Sequence, residues 1–308
     1  MPMFSQSAQL PFDILALGCI AVDELLLSPI WPEPDTKTRL LVRDRQGGGL
    51  TGNAMVAASR FGAKVAYGGS LGTDSDSKFL RDLYLRERIC LDFCRSDPAF
   101  SPIRSTIVID QSKNTRTIWF DLPGQLGALE NWPPEEVIRS SKVLFVDHYG
   151  IEGMIRAAKI ARAAGVEVVA DLERDEHPRF AEILPLVDHL ILSRKFATKR
   201  TGKHSVREAV EELAHFGAKV AIVTDGEAGA WVVAEGKCFH FPAYTVKVVD
   251  STGCGDAFHG VYAACLAAGM PLIERLKYAS AAAALKARHL GAQRGLPNRL
   301  EIEDFLRR

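Results

Sequence analysis

Short, nearly continuous apolar runs alternate with stretches of helical spacing along most of this chain, and that rhythm limits the fold more than any other feature. The first run, Asp13–Cys19, has the unbroken hydrophobic character of a strand buried on both faces of a sheet. Similar runs lie at Val65–Gly69, Val143–Val146, Val166–Ala170, His189–Leu192 and Lys219–Thr224. Between them, Asn53–Phe61, Asp76–Arg88, Ile151–Ala164 and Ser205–Phe216 repeat apolar or small side chains at helical intervals. In the last of these, Ser205 and Glu208 have capping-box spacing, and Val206, Ala209, Val210 and Leu213 form the stripe to be buried. Such alternation predicts an α/β fold with a mostly parallel sheet covered by helices on both faces.

Two segments break the rhythm. In Thr38–Asp44, Leu40 and Val42 alternate with Arg39, Leu41 and Arg43, and Ile103–Ile109 is followed by Thr117–Phe120 with no helix between them. Both carry many polar residues. We read residues 36–46 and 103–121 as a small β lid on a single domain spanning 1–308, with no internal repeat or long linker.

Composition narrows the function classes. Lys plus Arg, 38, equals Asp plus Glu, 38, so no overall field draws in nucleic acid or a membrane surface. An anionic ligand must therefore be held by a local site. The six cysteines are scattered, and only Cys90 and Cys94 are near neighbours, which predicts reduced, mostly buried thiols and no zinc site. Met1–Phe12 lacks the pattern of a signal peptide and no apolar run has membrane-spanning length, so a cytoplasmic protein is expected.

The chemistry concentrates in D-S-T-G-C-G-D-A-F, Asp250 to Phe258. Gly253, Cys254 and Gly255 precede a run in which Ala257, Val261, Ala264, Cys265 and Ala268 share one helical side. Unpaired amides at a helix start, reinforced by the macrodipole, make an anion site. A carboxylate beside such a site, Asp256, suits removal of a proton from a neighbouring hydroxyl. Together these parts fit phosphoryl transfer to an alcohol. Earlier, Asp23 follows the first strand, where a carboxylate can accept from two sugar hydroxyls or simply occupy a surface turn. The run G-G-G-L-T-G-N-A, Gly47 to Ala54, lacks the Lys and Ser/Thr of a Walker A loop. Its glycines would let a sugar approach the backbone, with Asn53 either binding it or capping a helix. V-T-D-G-E-A-G, from Val223, reads as a hairpin turn or a ligand-facing loop. A dinucleotide-binding Rossmann fold is disfavoured, because a lone glycine, Gly18, follows the first strand.

Asp250–Phe258 resembles the second signature of the ribokinase-like (PfkB-type) sugar kinases, D-[ST]-T-G-x-G-D-x-F, and Gly48–Asp74 is similar to their first signature. The resemblance covers nearly the whole chain and implies a ribokinase-like three-layer α/β/α sandwich with a β lid, often a dimer interface. It implies that Asp23, Gly49 and Asn53 hold the sugar and that Asp256 is the general base. Gly253, Cys254 and Gly255 would form the anion hole. Thr224, Gly226, Gly229 and Thr252, with Gly253 and Gly255, would bind the nucleotide. The implied cosubstrate is ATP and the implied metal Mg2+, at Asp250, with K+ as a candidate monovalent cation; the partners are sugar, ATP and a second copy of the chain. Passages at Arg116, Leu192 and Ala283 look most like ketohexokinase and sulfofructose-kinase relatives, which would make Asp35 and Arg116 lid or hinge residues facing the substrates. Arg39, Arg104 and Arg116 leave room for an anionic substituent on the sugar. His148 and Tyr149, after the Val143–Val146 strand, are candidates to line the pocket.

The chain departs from the family at Ser193-Arg194-Lys195-Phe196, where many members carry N-x-x-E near magnesium. Leu50 stands where relatives often place Asn or Lys against the sugar. The expected activity is ATP-dependent phosphorylation of a small sugar, a ketohexose or derivative. A nucleoside kinase and a non-catalytic sugar-binding protein on the same scaffold are the alternatives.

Overall fold

The structure, a computed structural model, describes residues 12–113 and 115–308. The segment expected to carry no signal peptide falls, up to residue 11, outside the described residues, as does Asn114. The chain runs β1 (Phe12–Ala16), β2 (Ala21–Ser28), β3 (Val42–Gly48), α1 (Leu50–Phe61), β4 (Val65–Tyr67), β5 (Ser70–Leu71), α2 (Ser75–Arg86) and β6 (Arg95–Ser96). It continues through β7 (Ile103–Asp110), β8 (Thr115–Asp121), α3 (Glu135–Arg139), β9 (Ser141–Val146), α4 (Ile151–Ala163), β10 (Glu167–Asp171) and β11 (His189–Ser193). Then follow α5 (Arg194–Thr201), α6 (Val206–Ala214), β12 (Val220–Thr224), β13 (Ala230–Ala234), β14 (Lys237–Phe241), α7 (Cys254–Ala267), α8 (Leu272–Ala287) and α9 (Arg299–Leu306).

An eight-stranded sheet has the order β14-β13-β12-β11-β10-β9-β1-β4. Pairing is parallel from β4 to β12, and β13 and β14 return antiparallel. Alternate strand residues feed two cores. Ile14, Val143 and Phe145 pack with Met55, Tyr262 and Leu276 from α1, α7 and α8. Leu15, Leu144 and Val146 pack with Met154, Ile155, Val210 and Leu213 from α4 and α6. Burial on both faces explains the unbroken apolar runs, and the three layers are those the sequence predicts.

Helix α7 is buried around most of its surface rather than along one stripe, while Ala268, expected within that stripe, is the exposed C-cap. Its small residues let α1 approach closely: a Cβ on Gly260 would lie 2.1 Å from the Ala54 carbonyl oxygen. That approach brings the first turns of α1 and α7 together at the carboxyl ends of the strands, where open parallel sheets bind ligands.

The second sheet has the order β3-β2-β7-β8. Its composition corrects the sequence reading. β2 was not foreseen, the expected Thr38–Asp44 strand is instead Val42–Gly48, and α1 begins at Leu50 rather than Asn53. Gly47 and Gly48 thus pair with Val22 and Ala21. Gln46, Asp23, Ser105 and Phe120 stand in one cross-strand row, and Arg45, Glu24, Thr106 and Trp119 in the adjacent one. Adjacent rows point to opposite faces. The Asp23 face turns towards the main sheet, since Phe120 lies under the Arg174 guanidinium at 4.8 Å, and Leu25 and Ile107 pack with Leu290.

Candidate active site

Gly253 caps α7 at φ 78, and a Cβ there would stand 2.9 Å from that of Ala292, so both conformation and space demand glycine. Gly255 is exposed and helical, and nothing lies within 4 Å of where its Cβ would be. It does not adopt positive φ. It keeps the mouth of the helix open. Among the described residues the amides of Gly253, Gly255 and Asp256 have no hydrogen-bond partner, whereas that of Cys254 turns back to Ser251 O at 3.3 Å. The anion hole therefore shifts one residue into the helix, with Cys254 its weakest member. Burial pushes the Cys254 thiol up to about 11, so it is neutral.

The loop before α7 is fastened from beneath. Asp250 Oδ1 accepts from the Thr252 amide at 2.9 Å and its hydroxyl at 2.7 Å, and Oδ2 accepts from the Gly291 amide at 2.8 Å. Lys286, fully buried on α8, donates to Asp250 O at 2.8 Å. Asp250 thus organises its own loop, and the Thr252 hydroxyl is bonded to it. Among the described residues no cluster of three or more His, Cys, Asp or Glu could hold a metal ion. The residues present do not fit a protein-built magnesium cage. From the second sheet, Arg116 reaches across to bond Ser251.

Asp256, in the first turn of α7, is buried and accepts from Asn53 Nδ2 at 2.6 Å. Burial, then the charge of Asp171, push its carboxyl well above the ordinary range, against the Asn53 hydrogen bond. Asn53 Oδ1 is buried without a partner, an acceptor available to an incoming hydroxyl. Gly49, the N-cap of α1 at φ 86, lies so close to Cys19 and Ile20 that a Cβ would approach the Cys19 carbonyl oxygen to 2.9 Å. Next to it, a Cβ on Gly48 would lie 2.1 Å from Asp23 Oδ2, so the Asp23 carboxylate covers the strand-to-helix junction that presents Asn53. Burial raises the Asp23 carboxyl to about 6, opposed by a hydrogen bond with Ser105.

Beyond the α7 start opens a cavity of about 450 Å³ lined by Thr224, Gly226, Gly229, Ser251, Gly255 and Phe258. Gly226–Ala228 is a short 3-10 turn joining β12 to antiparallel β13. The hairpin and the ligand-facing readings of V-T-D-G-E-A-G thus describe one object. Val246, Val248, Ala283 and Ala287 give the same cavity an apolar wall. Its apolar body and amide-lined end suit a planar base with a phosphate tail. Arg194 is paired with Asp225 at 3.0 Å beside the turn, and Ser193 caps α5.

Asp35 is not brought to this site: it sits exposed at φ 60 in the loop between β2 and β3. Arg104 is drawn outward to Asp76 at 2.6 Å, away from the Asp23 face. His148 and Tyr149 stack at 4.5 Å at the end of β9, with His148 Nε2 buried and unbonded. Sequence reasoning missed Asp147, which accepts from the Cys19 amide at 2.7 Å and Thr51 Oγ1 at 2.8 Å, and it missed Asp171, His259 and Lys286. Asp147 and Asp171 are each the first polar residue after an apolar strand run, a signal that was available.

The family model described as pfkB family carbohydrate kinase matches residues 18–299. The ribokinase of Haemophilus influenzae is 27% identical over 305 residues, covering 95% of this chain and 98% of that one. The fructokinase of Klebsiella pneumoniae is 28% identical over 316 residues, covering 95% and 99%. Among solved structures, Arabidopsis thaliana ribokinase complexed with ribose and ATP is similar in fold, with TM-score 0.83, 21% identity, and 96% and 99% coverage.

Proposed function

Since this chain belongs to the pfkB family of carbohydrate kinases, and so transfers a phosphoryl group to a sugar hydroxyl, we propose that ATP is its phosphoryl donor and a ketohexose or close derivative its acceptor, with Asp256 the general base. The carrying observation is a buried carboxylate, held by Asn53 at 2.6 Å, beside unpartnered amides at the start of α7. The sugar binds between the Asp23 face of the second sheet and the α1–α7 junction. Asn53 accepts from one hydroxyl and Asp23 from others. Asp256 takes the proton of the reacting hydroxyl. The Gly253, Gly255 and Asp256 amides meet the charge that develops on the phosphoryl oxygens, aided by Arg116 from the lid. The lid excludes water, which keeps hydrolysis slow without sugar. Magnesium bound to the nucleotide would supply charge neutralisation at the phosphates, with Asp250 the residue nearest in role to a protein ligand.

The relatives support a sugar acceptor; the fructokinases among them support the ketohexose. A second copy of the chain is the partner we propose for the outer lid face. A cytoplasmic location suits the six free thiols, and no helix among the described residues is long and apolar enough to cross a membrane. The test is a panel of fructose, ribose, adenosine and acidic sugars with ATP and Mg2+, followed by ADP release. ADP formation with a ketohexose is expected. Turnover with ribose or adenosine alone would overturn the acceptor assignment.

A further inference from the structure

Beneath the base lies a second buried carboxylate that the reaction as described does not use. Asp171 closes β10, and its Oδ2 stands 3.3 Å from Nδ1 of His259, one turn after Asp256 on α7. His259 is itself buried and meets only acceptors. Nδ1 is 2.8 Å from the Gly255 carbonyl oxygen, and Nε2 is 3.0 Å from that of Ile191 on β11. A neutral imidazole has one N–H and one lone pair, so one of these contacts would set a lone pair against a carbonyl oxygen. A doubly protonated ring satisfies both and supplies the counter-charge that Asp171 needs to ionise, because burial and the charges of Glu173 and Asp147 push its carboxyl well above the ordinary range.

We propose that His259 is held as an imidazolium by Gly255, Ile191 and Asp171, and that this buried ion pair is a positioning device that sets the proton affinity of Asp256. The inference rests on the reading of Asp256 as the base. The Gly255 carbonyl oxygen bonded to His259 Nδ1 belongs to the residue whose amide opens the anion site, so the ring also fixes that peptide. Asn53 of α1 bonds Asp256, and the charges that act on it are those of Asp171 of β10, Glu173 in the loop after it and His259 of its own helix; Asp147 at the end of β9 acts on Asp171. Asp171 and Glu173 favour the protonated carboxyl, while Asn53 and His259 favour the carboxylate. The anion makes Asp256 a stronger base, and the cation keeps it ionised.

Two experiments test this. In the wild-type protein, ¹⁵N NMR of the His259 imidazole at neutral pH should show N–H on both nitrogens, and a bare nitrogen would overturn the proposal without any variant having to fold. In kinetics, the acid limb of kcat/KM against pH should move in opposite directions: to lower pH in the isosteric Asp171→Asn, where an anion is lost, and to higher pH in His259→Gln, where a cation is lost. Plateau kcat should stay within about tenfold of wild type, and the double variant should lie between. Limbs that stay put or move together, in variants with wild-type circular dichroism, would overturn it. Should Asp256→Asn keep its turnover, the base assignment fails first and the kinetic arm with it, while the NMR result still decides the charge on His259.

Discussion

A carboxylate can take a hydroxyl proton only where the hydroxyl is held against it, and Asp256 meets that condition through Asn53, whose amide nitrogen bonds Oδ2 while its own oxygen stays open. Asp256→Asn preserves shape and removes the base. We expect kcat to fall by about 10²–10⁴, with sugar affinity and the circular dichroism spectrum nearly unchanged; turnover within tenfold of wild type would remove Asp256 from its role. Asp23 shows the same balance of burial against a hydrogen bond. Burial lifts its folded carboxyl to about 6, while in the unfolded chain it titrates near the ordinary value of about 4. The folded state therefore binds the extra proton between those values, and stability falls as pH rises through that window. Asp23→Asn should raise Tm at pH 7 by an amount equivalent to as much as about 3 kcal/mol, fading to nothing below about pH 4. Sugar affinity should weaken at the same time. A thermal melt series across pH checks the first and calorimetric titration the second.

The active-site geometry depends on how closely α1 and α7 pack, and Gly260 decides that distance. Gly260→Ala puts a methyl against the Ala54 carbonyl and forces the helices apart, at about 1–3 kcal/mol of stability. Because Asn53 and Asp256 begin those two helices, kcat should fall with Tm; a variant that loses Tm but keeps kcat would show that the junction tolerates the spread. Much of this element was legible in the sequence, since a glycine loop followed by a small-residue helix is a local pattern. β2 was not. A-V-D-E-L-L-L-S continues the apolar character of the first strand after only Gly18-Cys19-Ile20, with no proline or turn pair to mark the break. Asp35, which the resemblance makes a lid or hinge residue, lies in the exposed connection between β2 and β3 of the second sheet. The contact between Asp171 and His259 joins residues far apart in the chain through tertiary packing alone, so no spacing announces it.

Among the described residues the four-stranded sheet closes on the main body through a small apolar patch, Leu25 and Ile107 against Leu290, and through polar contacts around it. Arg116 bonds Ser251, Arg294 bonds Asp44 at 2.6 Å, and Arg45 and Arg104 both reach Asp76 at the start of α2. Such exposed pairs are each weak, which suits the proposed role of this sheet as a lid. The outer face is different in kind. β8 is an edge strand exposed along its length, Trp119 is 51% exposed and stacks on Trp31 at 5.6 Å, and a hollow of about 530 Å³ beside it is rimmed by Arg45, Glu24, Asp76 and Arg104. An aromatic pair ringed by both signs of charge is self-complementary across a two-fold axis, and an open edge strand invites pairing with a second copy. Sedimentation velocity at micromolar concentration should find a dimer. Trp119→Glu would bury a carboxylate against its own symmetry mate and should give a monomer with an unchanged far-ultraviolet spectrum. If the wild-type chain sediments as a monomer throughout that range, the outer lid face is not a dimer interface, and closure of the lid must rest on contacts within one chain.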